Sequence, residues 1–391
     1  MSKAVIDKIN PVELSQRLIR CPSVTPDEGG ALDELQNVLE ELGFRCQRLL
    51  FSESGTPDVD NLYARLGDRG PNFCFAGHSD VVPPGDRDEW GEDPFSGVVI
   101  DGKLFGRGSA DMKSAIASFI SAVQRYKSNV GEEIPGSISL LITGDEEGPA
   151  INGTIKVLDW MSKNNELIDA CIVGEPTNPD HLGQMIKIGR RGSFTGWLTV
   201  TGVQGHTAYP HLAENPLSKL VKMLEPLAEE QLDQGTEYFP PTTVAISSID
   251  TGNSATNVIP QKVTASFNIR FNDSRTAEDL EEWLRGHFDS VGGSYQLETA
   301  CSSNAFITEP GALSEDLISA IKDVVGTSPE MSTTGGTSDA RFIRKYCPVV
   351  EFGIVGKTMH KINEHVEIKD VELLTDIYTE LLDRFFKRVE M

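Results

Sequence analysis

Histidine and acidic residues stand at the ends of several apolar segments of this chain. His78 and Asp80 follow the run FCFAG, and Asp145, Glu146 and Glu147 follow the run SISLLIT. Imidazole nitrogens and carboxylate oxygens are the groups that bind divalent transition metals in proteins. Adjacent acids repel one another unless a cation or water neutralises them. The pattern therefore indicates either a metal centre or a solvated acidic turn beside a loop histidine.

Three further segments carry residues of the same types. Asp111 lies in GRGSADMKS at the start of an amphipathic pattern, Glu175 follows the apolar run ACIVG, and His360 precedes the last helical pattern. Each has an ordinary alternative, since Asp111 could cap a helix and the other two could be surface residues. Asp80 is predicted to accept a hydrogen bond from the second ring nitrogen of His78, which would fix the tautomer of a metal-bound imidazole.

Apolar periodicity places these residues on alternating helices and strands. Repeats near 3.6 residues predict helices around 11–20, 30–43, 112–127, 151–163, 312–325 and 370–387. β-rich runs predict strands at 44–51, 72–78, 137–143, 169–174 and 348–354. Such alternation is typical of an α/β fold with a central mixed sheet flanked by helices, in which ligands bind at the carboxyl ends of strands. The candidate ligands should converge there, and two histidines with three carboxylates match a pair of divalent metals.

A different pattern occupies the chain from about residue 192 to 304. The segments read strand, helix, strand, strand, helix, strand, which is the order of a ferredoxin-like α+β unit. We therefore predict an inserted domain at 192–304. It separates two parts of a catalytic domain, 1–191 and 305–391.

Composition excludes several classes of function. The chain has 391 residues and a net charge of −24, which opposes phosphate backbones and anionic membrane surfaces, so we expect neither a nucleic-acid nor a membrane partner. An apolar run long enough to span a bilayer and an apolar signal sequence are both absent, and we expect a cytoplasmic protein. The six cysteines are scattered without a CxxC pair, which predicts free thiols rather than disulfides or a cysteine-zinc site.

Seven segments, between about residues 70 and 366, resemble the co-catalytic zinc deacylases and aminopeptidases, the superfamily of aminoacylase, acetylornithine deacetylase and carboxypeptidase G. In chain order they are HSDVVPPGD, GRGSADMKS, TGDEEG, GEPT, GVQGHTAYPHLAENP, GGTSDARF and MHKINEHV. The resemblance implies a zinc-peptidase-like fold and a hydrolase of linear amides that removes the acyl group from an N-acyl amino acid. It also implies two Zn²⁺ per subunit, and the ligand types alone also allow Co²⁺ or Mn²⁺ in one site.

The resemblance divides the candidate residues into roles. It implies that His78 and Glu175 bind one zinc, that Glu147 and His360 bind the other, and that Asp111 bridges the two. Glu146 would be the general base. The residues alone leave that choice open, because either Glu146 or Glu147 could face the metals. Asp80 keeps its role of orienting His78.

The resemblance further implies a homodimer with shared active sites. The inserted domain would be the dimerisation domain, and His206 would reach into the partner subunit's site to stabilise the oxyanion. Residues matched to substrate contacts are Arg190, Asn257, Arg270, Gly336, Thr337 and Ser338. The segment GRRGS also offers Arg191 for the first of these positions.

Two rival functions follow from the same residues. One is a deacylase or dipeptidase of the same superfamily that acts on N-acetylornithine, another acylated amino acid or a peptide. The other is a metal-free binding protein that kept the fold, since fold does not imply function. That second rival predicts missing ligands, whereas all five ligand positions and the position of the base are filled.

Overall fold

The computed structural model describes residues 8–131 and 133–390. In that part of the chain the helices are α1 (Pro11–Ile19), α2 (Ala31–Glu41), α3 (Ser114–Val130), α4 (Thr154–Lys163), α5 (Pro216–Glu229), α6 (Ala277–Val291), α7 (Ala312–Val325), α8 (Ala340–Ile343) and α9 (Ile368–Glu390).

The strands of the same described ranges are β1 (Arg45–Phe51), β2 (Val59–Leu66), β3 (Asn72–His78), β4 (Val99–Ile100), β5 (Lys103–Phe105), β6 (Ser137–Thr143), β7 (Ala170–Val173), β8 (Met185–Lys187), β9 (Gly189–Arg190), β10 (Gly192–Thr201), β11 (Gly205–His206), β12 (Thr243–Asp250), β13 (Val258–Ile259), β14 (Lys262–Phe271), β15 (Ser294–Ser303), β16 (Phe306–Ile307), β17 (Glu330–Ser332), β18 (Val349–Glu351) and β19 (His365–Glu367). Helices and strands together form two compact units.

Unit 1 contains the described residues up to Ile188, the segment Thr308–Ser332, and the chain from Ser338 onward. Its eight-stranded sheet has the order β1-β2-β6-β3-β7-β18-β8-β17. The central strands β6, β3, β7 and β18 are parallel, whereas β1, β2 and β8 join antiparallel. Strands β3 and β6 are buried along their whole length, as expected for strands covered on both faces. The predicted mixed α/β fold is confirmed.

Aromatic packing fixes the central strand β3 against two helices. Phe75 of β3 stacks on Phe119 of α3 with ring centroids 4.5 Å apart, and it meets Tyr378 of α9 at 5.9 Å. Such pairs contribute about 0.5–1.5 kcal/mol beyond the burial of their area. The Tyr378 hydroxyl also donates to the carbonyl of Phe352 at 2.6 Å. The end of β3, which carries His78, is therefore held by a rigid core.

Strand β2 was not predicted, because polar residues interrupt its apolar pattern. Asn61 is buried and donates to the carbonyl of Asn152 at 3.0 Å. Arg65 forms an ion pair with Glu166 at 2.6 Å. Buried polar side chains are tolerated when such partners exist. These partners lie far away in sequence, so a local pattern does not reveal the strand.

Unit 2 contains Gly189–Ile307 and Thr333–Thr337. Its four-stranded antiparallel sheet has the order β12-β14-β10-β15. Helices α5 and α6 pack on one face through a core that includes Leu198, Phe267 and Leu284. The element order is that of the ferredoxin-like unit predicted at 192–304, with the short strands β11 and β13 added. The segment Thr333–Thr337 groups with this unit, although the sequence assigned it to the second part of the catalytic domain.

Two further expectations concern the whole chain. All six cysteines are free, and Cys74 and Cys171 are buried in the sheet of unit 1. Within the described ranges, none of the helices has both the length and the apolar character needed to cross a bilayer.

Candidate metal centre

Two groups of metal-binding side chains meet in unit 1. One consists of His78, Asp111 and Glu175, and the other of Asp111, Glu147 and His360. Within each group the donor atoms lie within 4.8 Å of one another. His78, Glu147 and Glu175 come from the carboxyl ends of three neighbouring parallel strands, β3, β6 and β7. Because Asp111 belongs to both groups, its carboxylate would be the ligand common to two ions.

The imidazole of His78 is oriented by a neighbouring backbone group. His78 is almost completely buried, and its Nδ1 lies 2.9 Å from the carbonyl oxygen of Asp80. A carbonyl can only accept, so Nδ1 carries the proton and donates. The other nitrogen, Nε2, then faces Asp111 at 3.2 Å and Glu175 at 3.8 Å. Nε2 is therefore the nitrogen available to a metal.

The carboxylate of Asp80 has a different partner from the one predicted. Its Oδ1 is 3.7 Å from Nδ1 of His78, too far for a hydrogen bond. Instead the carboxylate accepts the backbone N–H groups of Glu147 at 3.0 Å and Glu146 at 3.4 Å. Burial raises the pKa of Asp80 to about 6, although the charge of His78 and these N–H groups oppose the rise. Asp80 thus orients His78 through its carbonyl and holds the acidic loop through its side chain.

Asp111 lies in an irregular turn and not at the cap of a helix. Its backbone has φ −126° and ψ 93° inside the turn Ser109–Lys113, and α3 begins only at Ser114. The carboxylate oxygens lie 3.2 Å from Nε2 of His78 and 3.1 Å from Nε2 of His360. The helix-capping alternative therefore does not apply.

The neighbouring carboxylates raise the pKa of both imidazoles and so favour their protonated forms. Hydrogen bonds with Asp111 and Glu147, the latter at 2.8 Å, raise the pKa of His360 to about 10. Burial lowers the pKa of His78, but its contact with Asp111 outweighs burial and raises it well above the usual value. Burial likewise opposes ionisation of Asp111, yet the two imidazoles lower its pKa. Divalent ions would supply the same positive charge in place of these protons, so the donor set fits a metal pair.

Glu146 belongs to neither donor group, whereas its neighbour Glu147 belongs to one. Burial raises the pKa of Glu146 well above its usual value, and the charge of Glu175 adds to the rise. His78 and Asp111 are also near enough to influence that pKa. A carboxylate beside the donors but outside them is suited to accept a proton from water.

His206 and Asn257 lie side by side in unit 2. His206 pairs with Val258 between β11 and β13, and the carbonyl of Asn257 accepts the N–H of Thr207 at 3.0 Å. Nδ1 of His206 accepts the N–H of Ala208 at 3.0 Å. The proton of the neutral imidazole therefore sits on Nε2, which makes that nitrogen a hydrogen-bond donor. Both side chains are exposed.

The arginines of unit 2 have distinct environments. Arg190 donates to the carbonyl of Gly336 at 3.2 Å, which joins two of the segments matched to substrate contacts. Arg191 donates to Thr243 Oγ1 at 3.1 Å. Burial lowers the pKa of Arg191, and the nearby charge of Arg270 lowers it further. Nη1 of Arg270 is buried and has no hydrogen-bond partner among the described residues, so it is available to an anion.

Ser338 differs from its neighbours Gly336 and Thr337. It belongs to unit 1 and is buried, and its hydroxyl donates to Glu351 at 2.7 Å. A contact between Ser338 and substrate would therefore have to come from its backbone. Gly336 and Thr337 are exposed or half-buried in unit 2.

Two charged residues that the sequence did not mark as candidates adjoin the centre. Arg107 and Glu364 form a buried ion pair at 2.5 Å, and Glu364 also accepts the N–H of Asp111. Each lies in a segment that carries a ligand, GRGSADMKS or MHKINEHV. Charged side chains are rarely buried without a partner. The signal in the sequence that could have identified these two residues is their position in segments that carry metal-ligand candidates.

Two donor groups that share one carboxylate, with a further carboxylate beside them, fit the centre of a two-metal hydrolase on an α/β fold. The sequence profile of Peptidase family M20/M25/M40 matches residues 74–384, and the chain belongs to that family. It is 59% identical to a succinyl-diaminopimelate desuccinylase from Rhodospirillum centenum, over 97% of this chain and 98% of the relative. It is 56% identical to one from Parvibaculum lavamentivorans, over 96% of each.

Solved structures with the same fold are more distant in sequence. A tripeptidase from Staphylococcus aureus has a TM-score of 0.78 at 20% identity, with 97% of this chain and 100% of the other covered. A dinuclear metal-binding peptidase of the M20 family from Bacillus subtilis has a TM-score of 0.69 at 15% identity, with 96% and 98% covered. At these identities the likeness concerns the fold alone.

Proposed function

We propose that the protein hydrolyses N-succinyl-L,L-2,6-diaminopimelate to succinate and L,L-2,6-diaminopimelate, in the cytoplasmic synthesis of lysine and diaminopimelate. The substrate assignment rests on one observation, which is sequence identity of 59% and 56%, over nearly the full length, to desuccinylases from two bacteria. The segments GHTAYPHLAENP and GGTSDARF also resemble this enzyme more than acetylornithine deacetylase.

The metals proposed for the centre are two zinc ions. One would be held by His78 and Glu175 and the other by Glu147 and His360, with Asp111 between them. Mixed imidazole and carboxylate donors suit Zn²⁺, with Co²⁺ or Mn²⁺ as the alternative in one site. When bound, the ions would polarise the amide carbonyl and lower the pKa of a water molecule.

Glu146 is the proposed general base. One of its carboxylate oxygens would accept a proton from the attacking water and later donate that proton to the departing amine nitrogen. The burial that raises its pKa supports this role, because an efficient proton carrier has a pKa near the working pH. Asp80 would keep Glu146 in place through the backbone N–H that it accepts.

Unit 2 is the proposed dimerisation domain. His206 would donate from Nε2 to the amide oxygen of a substrate bound in the other subunit, as the negative charge develops there. Its exposure and its protonated Nε2 support this assignment. Strand β12 is an edge strand of the four-stranded sheet. The unpaired backbone groups of an edge strand can pair with another chain, which supports this assignment.

The remaining proposed contacts recognise the carboxylates of the substrate. Arg190, Arg270, Asn257 and the segment 336–338 offer guanidinium, amide and backbone donors. Guanidinium groups bind carboxylates through two parallel hydrogen bonds. Nη1 of Arg270, which is buried without a hydrogen-bond partner among the described residues, supports its part in this recognition.

The substrate assignment predicts a strong preference between two acyl amino acids. The zinc-loaded enzyme should hydrolyse N-succinyl-L,L-2,6-diaminopimelate with a kcat/KM at least about a hundredfold above that for N-acetyl-L-ornithine, which leaves carboxylate-binding donors unpaired. The release of primary amine measures both reactions. Equal rates, or a preference for acetylornithine, would contradict the assignment, and hydrolysis of neither would favour a binding protein.

A further inference from the structure

The ion pair of Arg107 and Glu364 contacts the backbones of two proposed metal ligands. Both side chains are nearly inaccessible, at 3% and 0% exposed, and their charged atoms lie 2.5 Å apart. The sequence separates them by 257 positions. They lie between the turn that carries Asp111 and the loop that carries His360.

The carboxylate of Glu364 holds the turn of Asp111. Its Oε1 accepts the N–H groups of Ala110 at 2.9 Å and Asp111 at 3.3 Å. The backbone at Asp111 is not helical, so these N–H groups lack the regular partners of a helix. A charged acceptor makes short, strong bonds to backbone N–H groups. Glu364 thereby fixes the peptide from which the shared carboxylate projects.

The guanidinium of Arg107 holds the loop of His360. It donates to the carbonyls of His360 at 3.4 Å and Lys361 at 3.2 Å, and to that of Pro83 at 3.4 Å. His360 has φ +61°, a left-handed conformation that is uncommon for residues other than glycine. Backbone in that conformation persists when surrounding contacts determine it. The contact with Arg107 is one such constraint.

We propose that Arg107 and Glu364 are positioning residues for the donor group Asp111, Glu147 and His360. The pair sets the backbone of two of the three donors, whereas His78 lies on the rigid strand β3 and Glu175 follows β7. Loss of the pair therefore weakens the metal of this group more than the metal held by His78 and Glu175. The inference rests on the proposed function, because it concerns the proposed ion of the group Asp111, Glu147 and His360.

The test is a zinc titration of metal-free protein against a fluorescent chelator, with wild type, Glu364→Gln and Arg107→Lys compared. Removing a group that orients metal ligands typically costs about 10–100-fold in metal affinity. We expect a loss of that size in the binding step that Glu147→Gln, which removes a ligand of this group, also weakens, and a smaller change in the other step of Glu364→Gln. Arg107→Lys keeps the charge beside Glu364, but a single ammonium cannot replace the fork of guanidinium donors, so the same step should weaken while the protein stays folded.

Glu166→Gln is the matched control. Glu166 is a partly buried acid of the same unit, paired with Arg65 at 2.6 Å and outside both donor groups. This variant should lower the melting temperature of the metal-free protein and leave both zinc steps unchanged. Equal loss of zinc in Glu166→Gln and Glu364→Gln, or wild-type titrations of Glu364→Gln and Arg107→Lys, would overturn the proposal. If wild type itself takes up fewer than two ions, the proposed function fails together with the inference.

Discussion

Replacement of Glu146 by glutamine should lower kcat by about two to four orders of magnitude, the usual contribution of a general acid-base group. The protein should keep both metals, because Glu146 belongs to neither donor group. Glutamine has nearly the same size but cannot accept the proton of the attacking water. Metal content and kcat, measured on the same preparation, check the prediction.

Glu147→Gln is the control for this experiment, since it makes the same chemical change one residue along the chain. Glu147 contacts His360 at 2.8 Å and belongs to a donor group, so its replacement should reduce the metal content, and activity should fall with it. The roles would have to be exchanged if Glu146→Gln lost metal and Glu147→Gln retained it. Two fully metallated and fully active variants would rule out the mechanism altogether.

Replacement of His206 by alanine should lower kcat by roughly 10²–10³-fold, the typical cost of removing one oxyanion donor. The effect on KM should be small, because the negative charge develops only in the transition state. The double readout of kcat and KM separates this role from that of a substrate-binding residue, whose loss would raise KM.

Mixed dimers test whether His206 acts across the interface. When His206→Ala subunits are combined with Glu146→Gln subunits, one of the two sites in each mixed dimer would contain an intact Glu146 and an intact His206 from the partner. Activity should therefore rise well above that of either variant alone, because each homodimer lacks one of the two groups in both of its sites. If verified mixed dimers stay inactive, the shared site is excluded.

Local patterns were enough to locate much of the fold and the donor residues. His78 and Glu175 follow buried apolar strands, and the carboxyl ends of parallel strands share one edge of a sheet. Their convergence could thus be expected before any coordinates. The order of elements in unit 2 was readable for a similar reason, because each of its helices and strands has a clear period of its own.

What the sequence left open depends on contacts between distant segments. Glu146 and Glu147 are adjacent acids, and their orientations depend on the carboxylate of Asp80, which accepts both backbone N–H groups. No period or spacing encodes that contact. Asp111 could equally have capped a helix until the start of α3 was located at Ser114.

The same limit explains why Arg107 and Glu364 were missed. Each is an ordinary charged residue in its own segment, and the requirement for a partner arises only when both are buried. Their separation along the chain hides the pair from any local pattern. The partner of the Asp80 carboxylate was predicted incorrectly for a related reason, since the carboxylate accepts N–H groups from a distant loop and the Asp80 carbonyl accepts from His78 instead.

Anomalous diffraction from crystals grown with zinc, recorded on both sides of the zinc absorption edge, tests the two-metal centre most directly. The account predicts two anomalous peaks in each subunit, about 3.5–4 Å apart. One peak should contact His78 and Glu175, the other Glu147 and His360, and both should contact Asp111. A single peak with all five side chains around it, or a peak coordinated by Glu146, would contradict the account.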